Sequence, residues 1–520
     1  MAEEPTGEQR QVKRRWMFTP KKITVGRGVE YGLTDLMGGG WNNIVSGVIF
    51  TFLMSQGVNP AAAGAVTGIG RIFDALFSLF FGTITDNFYR TKLGRRFGRR
   101  HFFIIAGCIV FAILFPMFWL PASQIFAGHE FWFYLIIYVG VELAIASILI
   151  PWETLPTEMT TDYTKRTVLS GSRMFISATG TAIVFFVLAI LKHMNNPNAY
   201  LITGIIWTVI FVVAILVSWR CTWEKAPTPE FLAELDAKPH KPLLQEAWQS
   251  VKDFGSTFEN KAFRRHLFIY LFSFTGKDLY SIVLPTFIVY VMAMPQDFPW
   301  TLQALSAFGI LSTLAAAKLM ITHGPRFLYT IAYSTMIVAM VAYCACYFLG
   351  VKDPIAIFVV VSIFYQLGRG ILEFTPWNVF PFIPDVDYLM TRESRAGIYA
   401  AVMTFFRKST GALASWIIGI IFEIVGFDAS KPITQGVRDS ITWIFLIGVV
   451  VLIGTALIAA QGFKLNKETH AVLKAEIERL EAGGSKADVT AEARKVAEEL
   501  TGRRYIDLWP ERNKADKVKH

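Results

Sequence analysis

Apolar runs of roughly twenty residues recur along the whole chain, and twenty residues is the length a helix needs to cross the hydrocarbon core of a bilayer. Lipid offers no hydrogen bonds to the backbone, so a spanning segment must satisfy its own amide groups, as a helix does. The runs predict twelve spans, at 29–55, 60–85, 102–121, 131–155, 168–192, 200–219, 266–293, 299–320, 326–349, 354–381, 396–425 and 439–462. The expected class is therefore an all-α membrane protein. Composition excludes one large soluble core: of 520 residues 53% are hydrophobic and only 17% charged, too few to cover a water-facing surface of that size.

The formal charge of +10 does not indicate nucleic acid, because the basic residues flank apolar runs, where membrane orientation accounts for them. Arg90, Lys92, Arg95, Arg96, Arg99 and Arg100 crowd between the second and third runs, whereas the turns at 57–60 and 121–130 hold no Lys or Arg. This asymmetry predicts that even-numbered crossings return to the cytoplasm and that both termini are cytoplasmic, in a bacterial inner membrane. Cys108, Cys221, Cys344 and Cys346 have neither metal-ligand spacing nor a disulfide pattern and read as small buried hydrophobes.

The expected organisation is a cytoplasmic N-terminal tail (1–28), a six-helix bundle (29–219), a polar linker (220–265), a second six-helix bundle (266–462) and a cytoplasmic C-terminal tail (463–520). In the tail, Leu473, Ile477 and Leu480 form an apolar stripe on a short helix, and a second helical stretch follows a Gly-Gly break. It reads either as a solvated extension or as a regulatory element and candidate contact for a cytoplasmic protein partner. An internal repeat supports the two halves. Pro151, Trp152, Pro156, Asp162 and Tyr163 recur as Pro376, Trp377, Pro381, Asp387 and Tyr388 at a constant offset of 225.

Charged residues inside apolar runs are costly in lipid and face the bundle interior. Arg71, Asp74 and Ser78 share one helix face, with Asp74 able to exchange a proton or contribute an oxygen to a cation. Asp35 is a second acidic candidate, and the glycines at 38–40 allow close helix packing or a break. A structural ion pair is the alternative role for these acids. Trp152 with Glu153 and Trp377 with Asn378 pair an indole face with a polar group, an arrangement that suits a sugar, although helix bending and interface anchoring serve equally well. Arg173 and Lys408 complete the candidate recognition set, while Lys277, Asp278, Arg369 and Glu373 read as gating or internal pairing residues. Arg369 and Glu373, four apart, are expected to pair; adjacent Lys277 and Asp278 lie on different faces.

The stretches Arg71-Ile72-Phe73-Asp74-Ala75, Asp86-Asn87-Phe88-Tyr89-Arg90-Thr91 and Gly94-Arg95-Arg96-Phe97-Gly98-Arg99-Arg100 carry a resemblance. Over about positions 30 to 460 the chain resembles the glycoside-pentoside-hexuronide:cation symporters, the melibiose-permease group of the major facilitator superfamily. The resemblance implies twelve helices in two pseudo-symmetric six-helix bundles, alternating access, and coupled movement of sugar and cation. It also implies a cation-site role for Asp74 and substrate or coupling roles for Arg173 and Lys408. Ser78, Gly39 and Leu149 stand where the melibiose-permease pattern has acids, although Glu153 lies one turn beyond Leu149. One carboxylate serves a proton better than a hard cation that needs several oxygens, so proton coupling is favoured over sodium.

The expected function is thus symport of a sugar, glycoside or sugar-derived oligosaccharide with a cation, without a cofactor. The rival readings are an ion-independent facilitator or exchanger of a polar metabolite and a non-transporting receptor or scaffold. No metal cluster, phosphate loop or nucleophile-base set points to an enzyme.

Overall fold

The computed structural model describes residues 16–160, 162–229, 231–233, 252, 254–393 and 395–510. The N-terminal tail before residue 16 and most of the expected linker lie outside the described residues. Helices dominate from end to end, without a strand among the described residues.

The first apolar run is not one continuous α-helix. It comprises α1 (Val25–Gly32), α2 (Asp35–Asn43), a π-helical turn (Ile44–Ile49) and α3 (Phe50–Ser55). Then follow α4 (Pro60–Asn87), α5 (Lys92–Phe97), α6 (His101–Phe118), α7 (Glu130–Met159), α8 (Tyr163–His193) and α9 (Ala199–Cys221). Asn59 caps α4, its side chain accepting from the Ala62 amide at 2.7 Å, and Pro60 occupies the first turn, where its missing N–H costs nothing.

The later elements are α10 (Lys261–Thr286), α11 (Phe298–Ala304), α12 (Phe308–Phe348), α13 (Ile355–Val379), α14 (Ile383–Thr391), α15 (Ala396–Ile424) and α16 (Gln435–Gln461). In α12 the backbone breaks at Gly324, where φ is 75°, and Pro325 restarts the helix. Two tail helices complete the chain, α17 (Lys467–Glu481) and α18 (Ala491–Thr501).

Among the described residues eight helical stretches are long and apolar enough to cross a membrane, against twelve expected runs. The difference has physical causes. The first run is interrupted by the π turn, α4 and α15 carry Arg71, Asp74, Arg407 and Lys408, and the single long stretch Phe298–Phe348 contains both the eighth and the ninth run, which the break at Gly324 separates.

The chain divides into two compact units, one within Met1–Ala247, Ser281–Ala307 and Gly411–Thr442, the other within Trp248–Tyr280, Phe308–Thr410 and Trp443–His520. In the first unit, glycines bring α2 and α8 into backbone contact. A Cβ added at Gly39 would lie 2.5 Å from the Ser177 carbonyl oxygen, and one at Gly180 would lie 2.7 Å from that of Leu36. Phe52, Trp119, Tyr134 and Tyr200 fill the core near the end of α3.

The basic segment before α6 is tied down by two acids. Glu224 is 1% exposed and accepts from the Arg99, Arg100 and His101 amides at 3.0, 3.1 and 3.3 Å and bonds the His101 imidazole at 3.0 Å. Burial pushes the Glu224 carboxyl upward, but the His101 bond and the backbone donors outweigh it, leaving it below the usual glutamate range. Glu158, at the end of α7, pairs with Arg99 and with Arg100.

In the second unit, Tyr280 stacks on Tyr365 at 3.7 Å and neighbours Tyr343 and Phe445. The expected tail stripe is buried in this unit, with Leu473, Ile477 and Leu480 each under 9% exposed. The tail is docked rather than solvated. His470 meets Asp385 at 2.7 Å, Tyr388 donates to Glu481 at 2.8 Å, and the Trp509 amide donates to the Leu389 carbonyl at 3.0 Å.

Candidate functional site

Among the described residues, each unit holds buried charged groups within its apolar helices, and the candidate site residues fall in three of these clusters. The first surrounds Arg71 on α4. Its guanidinium donates to Asn42 Oδ1 at 3.2 Å and stands 4.0 Å from Glu142 on α7. Glu142 is 2% exposed and also accepts from the Trp41 indole at 3.1 Å and the Tyr138 hydroxyl at 2.6 Å. One turn along α4, Asp74 is 5% exposed and accepts from Ser78 at 3.3 Å. Helix periodicity explains why Arg71, Asp74 and Ser78 share a face; Glu142 and Trp41 reach them only through packing.

The second cluster joins α2, α7 and α8. Arg173 donates from Nε to Asp35 at 2.8 Å and from Nη2 to Glu153 at 2.6 Å, with its guanidinium 4.8 Å from the Trp152 ring centre. Helix α1 can approach because Gly32 leaves its face bare: a Cβ there would stand 3.1 Å from the Arg173 amide nitrogen. Asp35, Trp152, Glu153 and Arg173 thus meet, with Glu153 still half-exposed. Trp152 itself is 1% exposed, stacks on Tyr31 and donates to the Tyr31 carbonyl at 3.1 Å and Ser218 at 3.2 Å. In this structure that indole is packed rather than open to a solute.

The third cluster lies in the second unit. Glu373 on α13 accepts from Arg369 at 3.0 Å, one turn away, and from Lys277 on α10 at 3.1 Å. Asp278 accepts from Arg407 on α15 at 2.8 Å and lies 3.9 Å from Lys277. Lys277 and Asp278 therefore reach different principal partners, as adjacent helical positions do. Arg407 joins this cluster, and its neighbour Lys408 is half-buried. Trp377 is partly exposed and meets Tyr270 edge-on at 5.9 Å, and Asn378 donates back to the Phe374 carbonyl at 2.9 Å.

Glu142, with its donors Trp41 and Tyr138, was not anticipated. A carboxylate alone in the apolar run between Glu130 and Glu153 was the available signal, since such a group needs an internal partner. Arg407 was legible as a charge in an apolar run, for which pairing with an internal acid is the ordinary role, and the structure supplies Asp278 as that acid.

A family model described as MFS/sugar transport protein matches residues 31–467. The chain belongs to this family. It is a multi-pass membrane transport protein of the major facilitator fold, and not an enzyme. Relatives include an uncharacterized symporter of Synechocystis sp., 22% identical over 490 residues, covering 80% of this chain and 88% of that protein. Another is the glucuronide carrier protein homolog of Escherichia coli, 22% identical over 437 residues, covering 79% and 87%. Among solved structures, the inward open conformation of the xylose transporter XylE from E. coli superposes with a TM-score of 0.53 at 14% identity, covering 89% of this chain and 99% of that one. The fold and general transporter character agree with the expectation from sequence, and the protein moves a small polar, sugar-like solute by alternating access.

Proposed function

We propose that the protein is a secondary active symporter of the melibiose-permease-like group, carrying a sugar, glycoside or sugar-derived oligosaccharide with a cation, the proton ahead of sodium. In this reading the chain crosses a bacterial inner membrane twelve times, in two six-helix halves, with both termini in the cytoplasm. The observation that carries the coupling is the buried pair of carboxylates around Arg71. Asp74 and Glu142 are each at most 5% exposed, and Glu142 stands 4.0 Å from the Arg71 guanidinium. A carboxylate at an intramembrane position is a group that can load and release a proton as the site opens to either side. A sodium ion would need several more oxygens than Asp74 and Ser78 supply.

In this mechanism, solute and proton together favour closure around the site and reopening on the other side. The test is accumulation of a confirmed sugar substrate in proteoliposomes under separate proton and sodium gradients. A proton gradient is expected to drive accumulation, and Asp74→Asn is expected to impair it more than counterflow at matched abundance. Accumulation indifferent to both gradients would sink the symport mechanism.

A further inference from the structure

We propose that the C-terminal tail is a regulatory strap: it holds the hinge between α13 and α14, and the hinge moves only when the tail lets go of α14. The inference goes beyond the transport reading and stands whatever solute is carried. The family match ends at residue 467, so almost all of the tail lies beyond the part shared with the family.

Proline makes the hinge. Helix α13 ends at Val379, the 3₁₀ turn Phe380–Phe382 follows, and α14 starts at Ile383. Pro376, Pro381 and Pro384 remove three amide donors within nine residues, which leaves the hydrogen-bond ladder weakest at the turn. A 3₁₀ stretch between two α segments marks a place where a helix bends. The first half lacks the break. There α7 runs on through Pro151 and Pro156 to Met159, the residue at the position of Pro384.

The tail grips the chain at this turn and beyond it. His470 of α17 packs on the Phe382 ring, 4.7 Å between centres, and meets Asp385 at 2.7 Å. Tyr388 donates to Glu481, and the Leu389 carbonyl accepts from the Trp509 amide. The Arg392 guanidinium lies against the Trp509 ring and donates to the Pro510 carbonyl at 3.3 Å. Positions 385, 388, 389 and 392 fall on one helix face. At the offset of 225 the first half has Thr160, Tyr163, Thr164 and Thr167, so only the tyrosine is shared. The tail's other hold is on the segment before α10, where Arg503 pairs with Glu259.

Two residues of the contact are strained. Arg392 and Trp509 have φ of 59° and 53°, two of the four non-glycine residues with positive φ among the described residues. Bulky side chains resist that region, and such conformations persist where the surroundings over-determine them. The docked tail is therefore a held state rather than a relaxed end. Arg369, Glu373 and Trp377 lie on α13, which connects the strap to the candidate site along one helix. By linkage, whatever favours another bend at the hinge loosens the tail, and loosening the tail frees the bend by the same factor.

The experiment is hydrogen exchange, read by mass spectrometry, on the full-length protein in lipid nanodiscs without a solute. In the triple variant His470→Ala, Glu481→Ala, Trp509→Ala the tail amides should exchange at least about tenfold faster than in the parent, the scale of one lost hydrogen bond. Residues 372–379, on the α13 side of the turn, should speed up by a similar factor, while residues 329–343 of α12 stay within about twofold. A tail that merely covers α14 would leave 372–379 unchanged. Adding Pro384→Met returns an amide donor to the ladder and should bring 372–379 back to within about threefold of the parent, the tail still exchanging fast. Should the triple variant fail to fold, His470→Ala and Trp509→Ala are read singly, each with at least about threefold effect at 372–379.

Exchange at 372–379 within about twofold of the parent while the tail exchanges freely would overturn the inference. So would an equal rise in α12, a tail as protected as the parent's, or no rescue by Pro384→Met.

Discussion

Replacing Glu224 by Ala isolates the attachment of the basic segment to the end of α9. In the parent protein this carboxylate is buried and serves three backbone amides and the His101 imidazole. Hydrogen bonds to a charged group are worth roughly 1.5–3 kcal/mol each, and stripping one side from a buried charged contact costs about 3–5 kcal/mol overall once the site relaxes. We expect about 4 kcal/mol, the four donors being too close together for their contributions to add. At about 2 °C per kcal/mol for a large domain, the melting temperature should fall by about 8 °C. Glu224→Gln, which keeps an acceptor oxygen but loses the charge, should lose about half as much.

The readout is heating in detergent with a fluorogenic maleimide, in a background that retains only Cys108, which lies on α6 with His101 and is 3% exposed. The pH dependence has a definite sign. Because the folded carboxyl is held below the usual glutamate range, its contribution is complete above about pH 4.3 and is lost as pH falls through the lower folded value. The difference between parent and Glu224→Ala should therefore be equal at pH 7 and pH 6 and shrink only in strong acid. A Glu224→Ala protein melting within about 2 °C of the parent at neutral pH would refute the reasoning, since even one lost charged hydrogen bond should exceed that shift.

Two further predictions concern packing. Gly180→Val should cut the yield of monodisperse protein several-fold in gel filtration, because its Cβ would meet the Leu36 carbonyl at 2.7 Å; Gly171→Val, with nothing within 4 Å, should behave as the parent does. Trp509→Ala should increase tryptic cleavage of the tail several-fold by removing the ring that lies 4.3 Å from the Arg392 guanidinium; equal protection would show that the other tail contacts suffice.

The helical character of the apolar runs was legible because lipid leaves the backbone no other economical state. Local spacing also carried the Arg369–Glu373 pair and the Leu473, Ile477, Leu480 stripe, since residues three or four apart share a helix face. The π turn in the first run had no such signal. The site was legible as a set of residue types and not as a set of partners. Arg173 meets Asp35 across 138 positions, and Trp41 meets Glu142 across 101.

The sequence alone determined that this is a polytopic helical membrane protein with charges inside its spans, because hydrophobic length and helix period are local quantities. Tertiary structure alone decided which charges are shared. Glycine-permitted helix contacts bring Asp35 to Arg173, and packing brings Glu142 to Arg71 and Asp278 to Arg407. That pairing, rather than the inventory, sets the surroundings of each charge, because a buried charge is governed by the neighbours within a few ångströms and not by its place in the chain.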